Sequence, residues 1–238
     1  MTTYTLTCTG ISASLKEKTV FSGISFTCGG LCALFGQNGA GKTTLMRSLL
    51  GFVPGSSGEI RLSSDRGEAL LSGMKSRERA KYISYMPQLP DKLGHITVLD
   101  YIVTGRTPYL GLMQSPGRAD YDKARESADF FGITDLLPRY MDEISGGEVK
   151  TAGLARSMTQ DTPWMLLDEP SAGLDYGRSR RFFADLKSYC CQTGRGALVS
   201  VHDPHLAEEF FPTILVMHDG VITKSDDIWR DTERIYGG

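Results

Sequence analysis

A chain of 238 residues can bury a full core and sits at the upper end of the size of one domain, or of a domain with a subdomain. Its 26 Lys and Arg against 28 Asp and Glu give a net charge of −2, which excludes a surface built to neutralise long runs of phosphate, so no nucleic-acid partner is expected. No stretch approaches the roughly 18 apolar residues of a membrane span, the N-terminus lacks a basic region before an apolar run, and five cysteines without a C-x-x-C pair fit no disulfide framework; a cytosolic chain is expected.

In chain order, Tyr4, Leu6 and Cys8 alternate with threonines, and residues 24–28 repeat the pattern, which predicts an antiparallel layer at this end. Residues 31–35 form a short apolar strand that breaks at Gly36, and helical periodicity runs on through Leu45, Leu49 and Leu50. A turn cluster at 54–58 precedes a strand at 59–62; a short charged helix is expected at 76–81 and a core strand at 83–86, stopped by Pro87 and followed by Gln88. From residue 97 to 158 the pattern turns helical, with segments at 98–104, 120–131 and 147–158. An apolar strand at 164–167 then ends in Asp168-Glu169-Pro170, and a helix (176–190), a strand (197–201), a helix (204–210) and a strand (214–217) follow. Four β-α alternations predict an α/β fold with a mostly parallel sheet covered on both faces. The expected division is a core of residues 1–88 and 160–238 with an inserted helical subdomain at 89–159.

Three places carry chemistry. Gly36-Gln37-Asn38-Gly39-Ala40-Gly41-Lys42-Thr43, with Thr44 after it, fits G-x-x-x-x-G-K-[ST] between a strand and a helix, a loop whose backbone N–H groups wrap phosphate oxygens. Lys42 would reach the β- and γ-phosphates of a nucleotide such as ATP, and the Thr43 hydroxyl would ligate Mg²⁺. The second place is Asp168-Glu169 at the carboxyl end of a buried strand, where Asp168 can hold Mg²⁺ and Glu169 can polarise a water for attack on the γ-phosphate. The third is Ile144-Ser145-Gly146-Gly147-Glu148. Ser145 and Glu148 make an S-x-x-E capping box, but two successive glycines cost a helix about 1 kcal/mol each and point to a second surface approaching the backbone.

I-S-G-G-E resembles the L-S-G-G-Q signature of ATP-binding cassette proteins, and G-Q-N-G-A-G-K-T-T, L-L-D-E-P, S-A-G-L-D and V-H-D follow in that family's order over nearly the whole chain. The resemblance implies a P-loop NTPase with a RecA-like core that binds ATP and Mg²⁺ and hydrolyses ATP. It implies Gln88 as a glutamine that contacts Mg²⁺, Asp168 as the magnesium-associated acid, Glu169 as catalytic base, Asp175 as a dimer-contacting aspartate and His202 as the histidine that steadies the γ-phosphate. It further implies a homodimer in which Ser145, Gly146 and Gly147 of one copy serve the other's nucleotide. Three positions depart from the pattern: Leu15 where an aromatic ring often stacks on adenine, Glu148 for glutamine, and Lys150 for arginine. Residues 97–111, with G-R-T-P-Y-L-G, are similar to a segment of ATPases that drive bacterial import of iron-siderophores, haem and cobalamin. That likeness implies integral membrane permease subunits as partners, an extracytoplasmic substrate-binding protein acting through them, and a place at the cytoplasmic face of the membrane. An exporter ATPase, or a cassette protein working on DNA or ribosomes, are the alternatives, and the cargo is not written in this chain.

Overall fold

The computed structural model describes residues 3–16, 18–88 and 94–237. Its elements are β1 (Thr5–Leu15), β2 (Lys18–Gly29), β3 (Leu31–Phe35), α1 (Lys42–Leu49), β4 (Ser57–Ser64), β5 (Gly67–Leu70), α2 (Ser76–Arg79), β6 (Ile83–Met86), α3 (Val98–Val103), α4 (Arg118–Phe130), α5 (Gly146–Thr159), β7 (Trp164–Leu167), α6 (Tyr176–Thr193), β8 (Gly196–Val201), α7 (Pro204–Phe210), β9 (Thr213–His218), β10 (Val221–Lys224) and α8 (Ile228–Tyr236). They form two sheets, one antiparallel in the order β2-β1-β4-β5, the other of six strands in the order β10-β9-β3-β8-β7-β6. Within the larger sheet only the β9–β10 pair is antiparallel. The expected α/β architecture and its antiparallel layer are both present.

The central strands are apolar on both sides because both sides are covered. Cys32, Leu34, Trp164, Leu166 and Leu198 face a core shared with α1 and the antiparallel sheet. Their neighbours Ala33, Phe35, Met165, Leu167 and Val199 face a second core built with α3 to α7. Period-two alternation thus puts successive residues of one strand into two different cores.

Register places the site. Phe35 pairs with Val201, Leu167 with Val199, and Met86 with Leu167. The carboxyl ends of four parallel strands therefore stop along one edge, and the next residues out are Gly36, Pro87, Asp168 and His202. This is where open α/β sheets bind ligands.

Among the described residues between β6 and β7 the regular structure is helical, and α3, α4 and α5 pack on one another. Residues 89–93, with which the expected subdomain begins, lie outside the described residues. Arg106 clamps these helices: its Nε donates to Asp120 Oδ1 at 2.9 Å and its Nη1 to the Thr159 carbonyl at 3.2 Å, near the end of α5. Arg106 is only 9% exposed, so this is a partly desolvated pair and not a surface decoration. The Cys28 and Cys32 thiols are free and buried, as small core side chains.

Candidate functional site

Gly36 leaves the sheet beside β9. A Cβ there would lie 2.4 Å from the Met217 carbonyl oxygen, so no side chain fits. At the other end of the loop Gly41, the residue before α1, has φ +103°, a conformation glycine alone adopts without strain. No side chain caps α1 and its first turn carries no acid. The first-turn N–H groups of a helix have no partner inside it, so this end presents donors and positive dipole to an anion. The cradle fits a phosphate group, the test that an ATP site must meet.

Lys42 is 4% exposed and folds back over the loop, donating from Nζ to the Gly36 carbonyl at 2.8 Å and the Gln37 carbonyl at 2.9 Å. Burial pushes its ammonium below the ordinary lysine range, while the charges of Glu169 and Asp168 act in the opposite direction. Gln37 is held from the far side, its Nε2 donating to the Ile235 carbonyl of α8. Asn38, Gly39, Ala40, Thr43 and Thr44 complete the loop and the first helical turn, and Thr43 is exposed.

Asp168 is 1% exposed. Its Oδ1 accepts from Ser200 Oγ at 2.9 Å and its Oδ2 from the Tyr85 hydroxyl at 3.3 Å, so both oxygens are oriented. Burial first, and the Asp168 charge after it, push the Tyr85 phenol up, which keeps it a donor. Glu169 turns the other way at φ +46°, a left-handed conformation that costs a non-glycine residue about 1–2 kcal/mol. Its Oε1 meets His202 Nε2 and its Oε2 accepts from Gln88 Nε2. A carboxylate only accepts when ionised, so that pairing needs the imidazole proton on Nε2. Glu169, Gln88 and His202, read separately in the sequence, are one hydrogen-bonded group in the fold.

Thr43, Gln88 and Asp168 line one cavity of about 1000 Å³. Among the described residues no cluster of three or more His, Cys, Asp or Glu side chains could hold a metal. A hydroxyl, an amide and a single carboxylate suit a hard cation that takes its remaining ligands from phosphate and water.

The Ser145 region lies elsewhere. Ser145 and Gly147 line a separate cavity of about 400 Å³ with Glu148 and Arg178, and no hydrogen bond among the described residues ties them to the P-loop. The capping box is formed, with Ser145 N donating to Glu148 Oε2 at 2.7 Å and Glu148 N to Ser145 Oγ at 3.4 Å, so Glu148 keeps the cap that its position requires. The two glycines separate here. A Cβ on Gly147 would sit 3.3 Å from Arg178 Nη1 and 3.4 Å from Leu174, an internal reason for small size, whereas one on Gly146 would meet nothing within 4 Å. Only Gly146 leaves its backbone open to an outside surface.

Asp175 caps α6, accepting from Arg178 N at 2.9 Å. Lys150 reaches the Glu169 carbonyl at a long 3.4 Å. Leu15 ends β1 and is 48% exposed. His95 stacks on Tyr140 and lines the same cavity as Thr43, Gln88 and Asp168, whereas His205 meets Trp229 edge-on and His218 pairs with Asp219, and neither of these two lines it. Tyr85 and Ser200 were not anticipated. A lone serine in the apolar run A-L-V-S-V, two residues before His202, was the available signal for Ser200.

The sequence profile of the ABC transporter family matches residues 22–172. The manganese transport system ATP-binding protein MntB of Bacillus subtilis (strain 168) is 32% identical over 239 residues, covering 96% of this chain and 90% of that one. The phosphonates import ATP-binding protein PhnC 1 of Rhodopseudomonas palustris (strain HaA2) is 31% identical over 203 residues, 84% of this chain and 72% of that one. A solved structure of a metal-chelate type ABC transporter in an inward-facing conformation superposes with a TM-score of 0.82 at 20% identity, over 98% of this chain and 89% of that one, a likeness of fold. The chain belongs to the ABC transporter family and is one of its ATP-binding, ATP-hydrolysing proteins.

Proposed function

We propose that the chain is the ATPase subunit of a bacterial importer, working as a homodimer at the cytoplasmic face of the membrane. It drives integral permease subunits that receive cargo from an extracytoplasmic substrate-binding protein. One observation carries the catalytic part of this reading: Glu169 is gripped by Gln88 and His202 at the strand ends beside an uncapped P-loop helix. Glu169 takes a proton from water as the water oxygen bonds to the γ-phosphorus, and the bond from that phosphorus to the β-bridging oxygen breaks with its electrons leaving on ADP. A carboxylate has about four acceptor positions, so the two existing donors leave room for the water. Lys42 would hold the γ-phosphate oxygens, and His202 would turn its Nε2 proton from Glu169 onto them when nucleotide is bound. Thr43, Gln88 and Asp168 would hold Mg²⁺, which when bound supplies positive charge against the phosphates. Ser145, Gly146 and Gly147 serve the nucleotide of the second copy, a role supported by the open backbone at Gly146 and by the separate cavity in which Ser145 lies. Asp175 faces that copy.

Residues 89–159 act as a helical subdomain on a core of 1–88 and 160–238. The permease docks where Phe52, Tyr101, Thr107 and Pro108 line the same cavity as Thr43, Gln88 and Asp168. The G-R-T-P-Y segment is a weaker pointer to the subclass than its pattern implies, because Arg106 already has a packing role against Asp120 and Thr159. Import rests instead on the relatives, and MntB, matched along most of both chains, favours a metal or metal-chelate cargo over a phosphonate. Iron-siderophore, haem or cobalamin is the narrower form of the same proposal. Purification of the tagged chain from its native membranes should recover a many-helix permease, with a metal-binding extracytoplasmic protein encoded beside it. Recovery of a permease that exports, or of ribosomes or DNA in place of any permease, contradicts the reading.

A further inference from the structure

Ser200 is the only polar side chain of β8 and is 0% exposed. Its single hydroxyl is used in both directions: it donates to Asp168 Oδ1 at 2.9 Å and accepts from the backbone N–H of Glu169 at 2.6 Å. The peptide between those two acids is the point at which the chain turns from the extended backbone of β7 into the left-handed conformation of Glu169. Strained backbone of this kind persists only where its surroundings over-determine it. We propose that Ser200 is a positioning residue for ATP hydrolysis, locking the Asp168–Glu169 peptide so that the Glu169 carboxylate points at the attacking water. The proposal rests on the reading of Glu169 as the base.

The grip on Glu169 comes from the end of β8 and from the residue that follows it. Ser200 holds its backbone nitrogen, and His202, two residues further along, meets its carboxylate. Without the hydroxyl, the Glu169 N–H and Asp168 Oδ1 both lose a buried partner. Rotation of the peptide out of its left-handed conformation relieves the strain and swings the carboxylate away from its aim. Tyr85 still holds the other Asp168 oxygen and the P-loop is untouched, so nucleotide binding should survive while turnover falls.

The test is steady-state ATP hydrolysis by the full chain, comparing wild type, Ser200→Ala, Ser200→Cys and Glu169→Gln. Both Ser200 variants should lose about 10- to 100-fold in kcat, the scale of a misplaced catalytic group, with KM for ATP changed by less than about two-fold. Cysteine keeps the volume and is only a weak hydrogen-bonding partner, so Ser200→Cys carries the test if the alanine variant does not fold. Wild-type kcat in the Ser200 variants beside a slow Glu169→Gln overturns the role of Ser200 and leaves the base standing. So does a kcat loss matched by a comparable rise in KM, the mark of a generally disordered nucleotide site. Wild-type turnover in Glu169→Gln removes the base itself, and the Ser200 proposal with it.

Discussion

Replacing Glu169 by glutamine is expected to lower kcat for ATP hydrolysis by about 10²- to 10⁴-fold, the range of general-base catalysis, while ATP still binds. The substitution is nearly isosteric at a side chain only 13% exposed, so the packing around it is kept. Hydrogen bonding can be kept as well. The new amide presents its oxygen to His202 Nε2, and Gln88 can turn its own amide over to accept from the new NH₂ group. What disappears is the ability to take a proton from water. A single-turnover measurement with the protein in excess over ATP separates chemistry from product release, and an unchanged rate would remove Glu169 from the role.

Lys42→Ala should act on binding. The ammonium lies 4% exposed between two loop carbonyls, with Glu169 and Asp168 the nearby negative charges. Truncating one partner of a buried, hydrogen-bonded charge pair costs about 2–5 kcal/mol, or about 30- to 4000-fold in the Kd for ATP. The same change leaves the Gly36 and Gln37 carbonyls without the donor that closes the loop. Arginine should not rescue it, because a planar fork cannot replace a compact ammonium in that space. Calorimetric titration with ATP reads the effect directly, and a wild-type Kd would mean that the loop binds nucleotide without its lysine.

The core strands were legible because burial on both faces writes a continuous apolar run. Leu31–Phe35, Ile83–Met86 and Trp164–Leu167 begin and end where the pattern said. The helix at 204–210 was equally plain, with Asp203 capping and Pro204 opening it. The edges were not. β5 and β10 are four-residue strands at sheet margins, largely exposed, and carry no alternation to find. α8 went unread although Asp227 caps it and Ile228 and Ile235 are buried, so the contact of its end with Gln37 could not be foreseen. The short helix expected at 76–81 stops at Arg79.

At the site, residue types and spacing gave Lys42, Asp168 and Glu169 as separate candidates, and the family resemblance added Gln88 and His202. Their convergence depends on strand order, which periodicity does not encode: Gln88 meets Glu169 only because β6 lies beside β7. Ser200 was hidden for the same reason, since its partners stand just past the end of the neighbouring strand. Lys150 departs from an arginine, yet its single long contact with the Glu169 carbonyl asks for one donor and no fork.

Sedimentation of the Glu169→Gln chain with and without ATP tests most directly whether nucleotide is held between two copies, the P-loop of one against the Ser145 helix end of the other. With hydrolysis blocked, ATP should convert the 26.1 kDa chain to a species of twice that mass, and ADP should not. A chain that is saturated with ATP and still sediments at the mass of one copy contradicts the account.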